Sequence, residues 1–184
     1  TAYLANIMVG NAGLIRLVND YLGPLPDVDR DGLINLLVVD ILDLNADGNT
    51  RWFMGYFDYN NEMVMDTALN PYSNHMELLY IDNYNLVYNT SGMVKTLTEL
   101  LTEMVASWID PEEEPWQNNM FSNFVYHLFR YGIGYNPDTV ELNWSLLGEP
   151  IISDNNTNYA FIMYLRDLYG MDFPKKLVNA RGYK

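Results

Sequence analysis

An apolar stripe at helical spacing between residues 93 and 108 is the feature that most constrains how this chain can fold. Seven large hydrophobic side chains recur there every one to four positions: Met93, Leu97, Leu100, Leu101, Met104, Val105 and Trp108. This pattern is that of an amphipathic α-helix with one broad buried face. Asp110-Pro111 then predicts the end of the helix, because proline disfavours the helical conformation in the residue before it. The rest of the chain must supply apolar surface to cover this helix.

The segments before this helix carry the patterns of one helix and several strands. Residues 2–22 place apolar side chains at helical spacing, although Gly10 and Gly13 weaken the pattern. The predicted strands are residues 33–42, 51–57 and 77–82. The first of them is almost entirely apolar, which is typical of a central strand that is covered on both faces.

The segments after residue 92 are predicted to be helical. Beyond the long helix, further helices are expected over residues 115–131, 157–169 and 174–179. We therefore predict an α+β fold, with an N-terminal helix and a small mixed β-sheet followed by a helical subdomain. A chain of 184 residues suits one domain spanning residues 1–184.

Charge and composition exclude several classes of function. There are 24 acidic and 10 basic residues, so the formal net charge is −14. This balance argues against nucleic acid or an anionic membrane surface as a partner, because both attract Lys and Arg. The chain has no Cys, which excludes disulfides, thiolate zinc sites and Cys nucleophiles. Its apolar runs are shorter than the roughly 18 residues of a membrane span, so no membrane insertion is expected.

A segment of the long helix can be compared, position by position, with a zinc-peptidase motif. In H-E-x-x-H, two His one turn apart bind zinc and the Glu acts as general base. Residues 99–103 instead have the sequence Glu-Leu-Leu-Thr-Glu. Five segments have, in order, sequences similar to family motifs: 27–34 (DVDRDGLI), 73–84 (SNHMELLYIDNY), 96–105 (TLTELLTEMV), 116–122 (WQNNMFS) and 159–170 (YAFIMYLRDLYG). Together they resemble the hyicolysin-type zinc metallopeptidases. The resemblance implies a zincin-like fold and an extracellular or cell-envelope location in a bacterium.

The departures from the family pattern lie at the positions that perform the chemistry. The resemblance aligns Glu99 and Glu103 with the two zinc-binding His, Leu100 with the general-base Glu, and Asn119 with the Glu that is the third ligand. Catalytic zinc needs three protein ligands and a base that accepts a proton from water, and Leu cannot accept one. We therefore expect no catalytic residue, no zinc and no other cofactor at these positions.

The carboxylates on the long helix allow two interpretations. Glu99 and Glu103 lie one turn apart, and the simpler interpretation is a solvated acidic face. The alternative is a site for a hard cation formed by both carboxylates and the Asn119 amide, a ligand set that suits Ca²⁺ or Mn²⁺ better than Zn²⁺.

Two acidic loops are candidates for calcium. Four residues match positions 1, 3, 5 and 6 of a calcium-binding loop: Asp27, Asp29, Asp31 and Gly32. Val38 stands at position 12, where such a loop places a bidentate Glu, so we favour a tight turn over a site and retain the three Asp as weak calcium candidates. A second loop over residues 43–54 also lacks this Glu and is more simply a turn.

Three functional hypotheses follow from the sequence. The first is a catalytically inactive zincin-like domain that binds an extended peptide or protein, with residues 77–82 as a candidate edge strand. The second is an active metal-dependent peptidase or hydrolase with unorthodox ligands, for which His75 and His127 supply the only imidazoles. The third is a calcium-stabilised structural module of a secreted protein.

Overall fold

A computed structural model describes seven stretches of the chain: residues 2–10, 13–41, 54–62, 70–83, 90–111, 115–132 and 155–180. The chain divides into two compact units. We call Pro26–Leu100 the sheet unit, and Thr1–Leu25 together with Leu101–Lys184 the helical unit. The fold is α+β, as predicted. The assignment of one domain to residues 1–184 stays a prediction.

The described helices are α1 (Ala2–Val9), α2 (Leu14–Tyr21), α3 (Tyr59–Glu62), α4 (Thr90–Ile109), α5 (Pro115–Tyr131), α6 (Asn155–Tyr169) and α7 (Phe173–Val178). The helices predicted over 115–131, 157–169 and 174–179 are confirmed within two residues at each end. The single helix predicted over residues 2–22 is wrong, because the chain leaves the helical conformation between α1 and α2. Gly13 is extended, with φ −68° and ψ 157°. A Cβ on Gly10 would lie 2.6 Å from the Asn6 carbonyl oxygen, so the break uses glycine for a close backbone approach.

Among the described residues, three strands form one sheet in the order β1-β3-β2, where β1 is Asn35–Val39, β2 is Gly55–Tyr56 and β3 is Leu78–Asp82. Strand β1 pairs parallel with β3, with Asn35 opposite Leu78. Strand β2 pairs antiparallel with β3, with Tyr56 opposite Tyr80. The Tyr56 and Tyr80 rings stack at 4.4 Å between centroids, which reinforces this register.

The positions of two strands correct the predictions. The apolar segment 33–42 was expected at the centre of the sheet, yet within the described stretches β1 pairs with β3 alone, and Leu37 and Val38 are 45% and 42% exposed. The segment 77–82 was a candidate edge, yet β3 is central because it has a hydrogen-bonded neighbour on each side. Of the strand predicted over 51–57, the structure has strand conformation at Gly55–Tyr56, and residues 51–53 lie outside the described residues.

The helical unit is built around aromatic and aliphatic side chains of α5 and α6, which pack against each other. Phe121, Phe124, Tyr159 and Ile162 are almost completely buried. The Tyr21 ring of α2 meets the Phe124 ring edge to face at 5.9 Å. Tyr159, Phe121 and Phe124 are the largest of the fully buried side chains, so their packing contributes strongly to the apolar stabilisation of the unit.

Polar contacts fix the ends of several helices in the helical unit. The Asn179 side-chain amide, just after α7, donates to the Leu22 carbonyl at 3.0 Å and to the Lys175 carbonyl at 2.7 Å. Lys175 also donates to the carbonyl of Asn19 in α2, at 3.0 Å. These bonds satisfy carbonyl groups that a helix end leaves without a partner within the helix. None of the described helices is long and apolar enough to cross a membrane.

Candidate functional site

Helix α4 confirms most of the apolar stripe on which the sequence analysis rests. Its buried side chains include Met93, Leu97, Leu101, Met104 and Val105. Trp108 was expected on the buried face, but its side chain is 45% exposed, because the stripe ends one turn before the helix does.

The position aligned with the general base is filled by apolar packing. Leu100 is only 5% exposed. A Cβ placed on Gly55 of β2 would lie 3.2 Å from Leu100 Cδ1, so the strand passes directly beside this side chain. One turn earlier on α4, the Thr96 hydroxyl lies 3.5 Å from the sulfur of Met54, which immediately precedes β2. The Leu100 side chain has no group that accepts a proton, so it cannot activate water at this position.

The positions aligned with zinc ligands have other contacts. The Glu99 carboxylate lies 3.6 Å from Lys95 Nζ on the same helix, and both side chains are about two-fifths exposed. Burial raises the pKa of Glu99, and the positive charge of Lys95 opposes that rise. Glu103 is half-buried, whereas Asn119 on α5 is exposed and its backbone carbonyl accepts a 3.0 Å hydrogen bond from Ser122. The solvated acidic face that we favoured from the sequence is thus only half solvated.

The two histidines belong to different units and have different surroundings. His75, in the sheet unit, is half-buried and has a positive φ of 52°. His127, in the helical unit, stacks on the Tyr159 ring at 3.9 Å and on the Tyr131 ring at 5.5 Å. Burial lowers the pKa of His127, which favours the neutral imidazole. His127 therefore acts as a packing partner in its aromatic cluster.

The loop before β1 brings three carboxylates together. Within the part of the chain that the structure describes, Asp27, Asp29 and Asp31 form the one group of three or more acidic, His or Cys side chains whose candidate ligand atoms all lie within 4.8 Å of one another. All three side chains are exposed. The second acidic loop, residues 43–54, lies outside the described residues except for Met54.

Backbone hydrogen bonds hold this loop in a compact form. Asp27 accepts from the Gly32 amide at 3.0 Å, Asp29 from the Asp31 amide at 3.1 Å, and Asp31 from the Leu33 amide at 2.7 Å. Gly32 has φ +70°, a conformation that glycine adopts without strain. The turn expected from the sequence is therefore present, and it points three carboxylates toward one volume.

Glu77 is the residue that sequence reasoning missed. It directly precedes β3, and its side chain is fully buried, at 0% exposure. One carboxylate oxygen accepts a hydrogen bond from the backbone amide of Val28, inside the acidic loop, and the other oxygen is buried without a hydrogen-bond partner among the described residues. Burial raises the pKa of Glu77, and the nearby charges of Asp29 and Asp27 raise it further. The sequence signal for this residue was its position: Glu77 lies two and four residues before the apolar Leu79 and Ile81, on the same face of the predicted strand.

Comparison with known proteins gives this chain no relative: no family model, no curated protein and no solved structure matches it. The resemblance to hyicolysin-type peptidases therefore stays a prediction that rests on the five sequence segments.

Replacement of Leu100 tests whether its position belongs to a core or to an open cleft. We expect Leu100→Ala to lower the free energy of unfolding by about 2–4 kcal/mol, through lost burial and a residual cavity. Leu100→Glu is expected to cost at least as much, because it buries a charge beside β2. Leu33→Ala, at an exposed position of the same unit, is the control and should cost less than about 0.5 kcal/mol. Urea unfolding measures all three, and a Leu100→Glu variant as stable as wild type would show that the position faces water.

Removal of Lys95 tests the electrostatics at Glu99. Lys95→Gln should raise the pKa of Glu99 further, since the opposing positive charge is lost, while the helix loses about 0.3–0.5 kcal/mol of ion-pair stabilisation at neutral pH. When the pKa of a carboxyl is higher in the folded than in the unfolded chain, the free energy of unfolding falls as the pH rises from the unfolded pKa to the folded pKa. The loss in the variant should therefore be present at pH 7 and vanish at pH 3. Carboxyl ¹³C titration by NMR measures the pKa, and an unchanged value would contradict the pairing.

Proposed function

We propose that this chain is a zincin-like domain that has lost zinc-dependent peptidase chemistry and serves as a binding module. The observation that carries the proposal is the burial of Leu100 beside Gly55, at the position that the resemblance assigns to the general base. Burial of one Leu side chain stabilises a fold by about 2 kcal/mol, whereas a working base there would have to be a carboxylate with access to water. Packing has replaced catalysis at this position.

The ligand positions support the same proposal. A catalytic zinc site usually includes at least two imidazoles, and the aligned positions carry two carboxylates and an amide. The Glu99 carboxylate already has a cationic partner in Lys95. These groups are hard oxygen donors and form a poor set for zinc.

The binding function that we propose uses an outer strand of the sheet. An extended peptide adds to a sheet edge through backbone hydrogen bonds, and this requires no metal. The Asn35 amide donates to the Glu77 carbonyl and therefore points toward β3. Successive amides of a strand point to opposite sides, so the amides of Leu36 and Val38 point away from β3. Among the described residues, β1 pairs with β3 alone, and Leu37 and Val38 offer apolar side chains to a partner. We therefore place the peptide at β1 instead of at residues 77–82.

The zincin-like frame is tested by restoring its ligands. Wild-type chain should bind no stoichiometric zinc and should show no chelator-sensitive cleavage of casein. The triple variant Glu99→His, Leu100→Glu, Glu103→His is then compared with the quadruple variant that adds Asn119→Glu. We expect the fourth change to tighten zinc binding by at least about tenfold, because it supplies the third ligand.

The matched control for this experiment is Gln117→Glu added to the same triple variant, which places the new carboxylate two residues away on α5. Equal zinc affinity of the two quadruple variants, measured by competition with a chromogenic chelator, would argue against the zincin-like frame. Chelator-sensitive cleavage by the wild-type chain would instead support the active-hydrolase hypothesis.

Strand addition at β1 is tested with proline. Peptides selected by phage display on the wild-type chain should lose binding to Val38→Pro, because proline removes an outward amide without removing a bond to β3. Val38→Thr keeps the amide and is the control. Fluorescence anisotropy measures the affinities, and thermal melting verifies that both variants fold. Peptides that bind Val38→Pro as tightly as wild type would place the binding surface elsewhere.

A further inference from the structure

The buried carboxylate of Glu77 lacks the positive partner that such a group ordinarily has. Its side chain is fully buried, and it belongs to none of the ion pairs of the described residues. One of its oxygens accepts a hydrogen bond from the Val28 amide, its own backbone amide also stabilises the carboxylate, and the other oxygen has no hydrogen-bond partner among those residues. An uncompensated buried charge is strongly unfavourable, so a group of this kind usually binds a proton or a cation.

The surroundings of Glu77 favour a cation. Val28, which donates to the Glu77 carboxylate, lies between Asp27 and Asp29 in the sequence, so the carboxylate abuts the acidic loop. The electrostatic influence of Asp29 and Asp27 on Glu77 reports the same proximity. Glu77 is thus a fourth carboxylate beside the loop, outside the group of three whose candidate ligand atoms all lie within 4.8 Å of one another, and the repulsion among these charges favours a divalent cation.

We propose that Glu77 completes a calcium site with Asp27, Asp29 and Asp31. In a calcium-binding loop, the Asp residues at positions 1, 3 and 5 are joined by a backbone carbonyl at position 7 and a bidentate Glu at position 12. Leu33 is at position 7 of this loop, and Val38 at position 12 has no ligand to offer. Glu77 supplies the missing carboxylate from the neighbouring strand, with its second oxygen available to the ion.

The sheet explains how a residue so distant in sequence reaches the loop. Val28 and Glu77 are separated by 49 positions. Asn35, at the start of β1, donates to the Glu77 carbonyl, and the parallel register sets Asn35 opposite Leu78. The beginnings of the two strands therefore coincide, which places Glu77 beside the loop that leads into β1.

The ligand chemistry favours Ca²⁺ over other common divalent ions. Carboxylate and carbonyl oxygens are hard donors, which disfavours zinc in a site without imidazole or thiolate. Calcium accepts six to eight oxygens at about 2.3–2.6 Å in flexible geometry, so ligands on opposite sides of the ion lie about 5 Å apart. The candidate ligand atoms of the three Asp lie within 4.8 Å of one another, so one ion can contact all three. Magnesium demands a smaller, near-octahedral shell.

Calcium titration of the full chain tests the site. After removal of metals with a chelator, isothermal titration calorimetry at pH 7 should show one calcium ion bound per chain. At a calcium concentration of about 100 times Kd, the melting temperature should rise by roughly 5–10 °C. Glu77→Gln should weaken calcium binding by at least about tenfold, because it replaces a charged carboxylate ligand with a neutral amide. Asp58→Asn is the matched control, because Asp58 accepts from the Asn60 amide in the same unit and does not belong to the group of three carboxylates, and the Kd of this variant should equal that of wild type.

The two stability curves should cross as calcium is added. Without calcium, E77Q should melt at or above the wild-type temperature, because an amide replaces an unpaired buried carboxylate. With calcium, wild type should become the more stable protein. An absence of calcium binding by wild type, an unchanged Kd in E77Q, or an equal response to magnesium would overturn the proposal.

A measurement on the wild-type chain keeps the proposal testable if E77Q fails to fold. Calcium should shift the side-chain carboxyl ¹³C resonance of Glu77, together with those of the three Asp residues. A shift confined to the Asp residues would exclude Glu77 as a ligand. Asp29→Asn keeps the acceptor for the Asp31 amide and should weaken binding without unfolding the loop.

Discussion

The parallel pairing of β1 with β3 is the constraint on which the sheet unit depends. Parallel neighbours begin at the same end of a sheet, so the loop that precedes β1 and the residue that precedes β3 are brought side by side. In the part of the chain that the structure describes, β3 pairs with both β1 and β2 and is central, and β1 is outer. The burial of Glu77, its bond to the Val28 amide and the exposure of Leu37 and Val38 all follow from one strand order.

Helix α4 carries apolar and ion-paired side chains at the positions that the proposed zincin resemblance assigns to catalysis. A metal centre requires polar side chains at an interior surface together with a path for water. Leu100 instead completes an apolar face against β2, and Glu99 forms an ion pair within its own helix. Each of these contacts is favourable by itself.

The sequence predicted the features that depend on local pattern. The end of α4 and most of its buried face (Trp108 excepted), the helices α5 to α7 and the turn at Asp27–Gly32 all follow from spacing and turn chemistry within a few residues. The order of the strands could not be obtained in this way. An apolar run such as 33–42 has the same appearance in a central strand and in an outer one, because hydrophobicity does not specify how many neighbours a strand has. The role of Glu77 was hidden for a related reason, since its partner lies 49 positions away.

The alternation of β3 gives Glu77 a further consequence. Leu79 and Ile81 lie on the same face as Glu77, while Leu78 and Tyr80 lie on the other, so both faces of the strand are largely apolar. Hydrophobicity alone would then penalise a shift of the strand by one residue only weakly. Such a shift would withdraw the carboxylate from the Val28 amide and leave an apolar side chain in its place. The bond from the Val28 amide to Glu77 thus favours the native alignment of β3 over a shifted one, in addition to the Tyr56–Tyr80 stack.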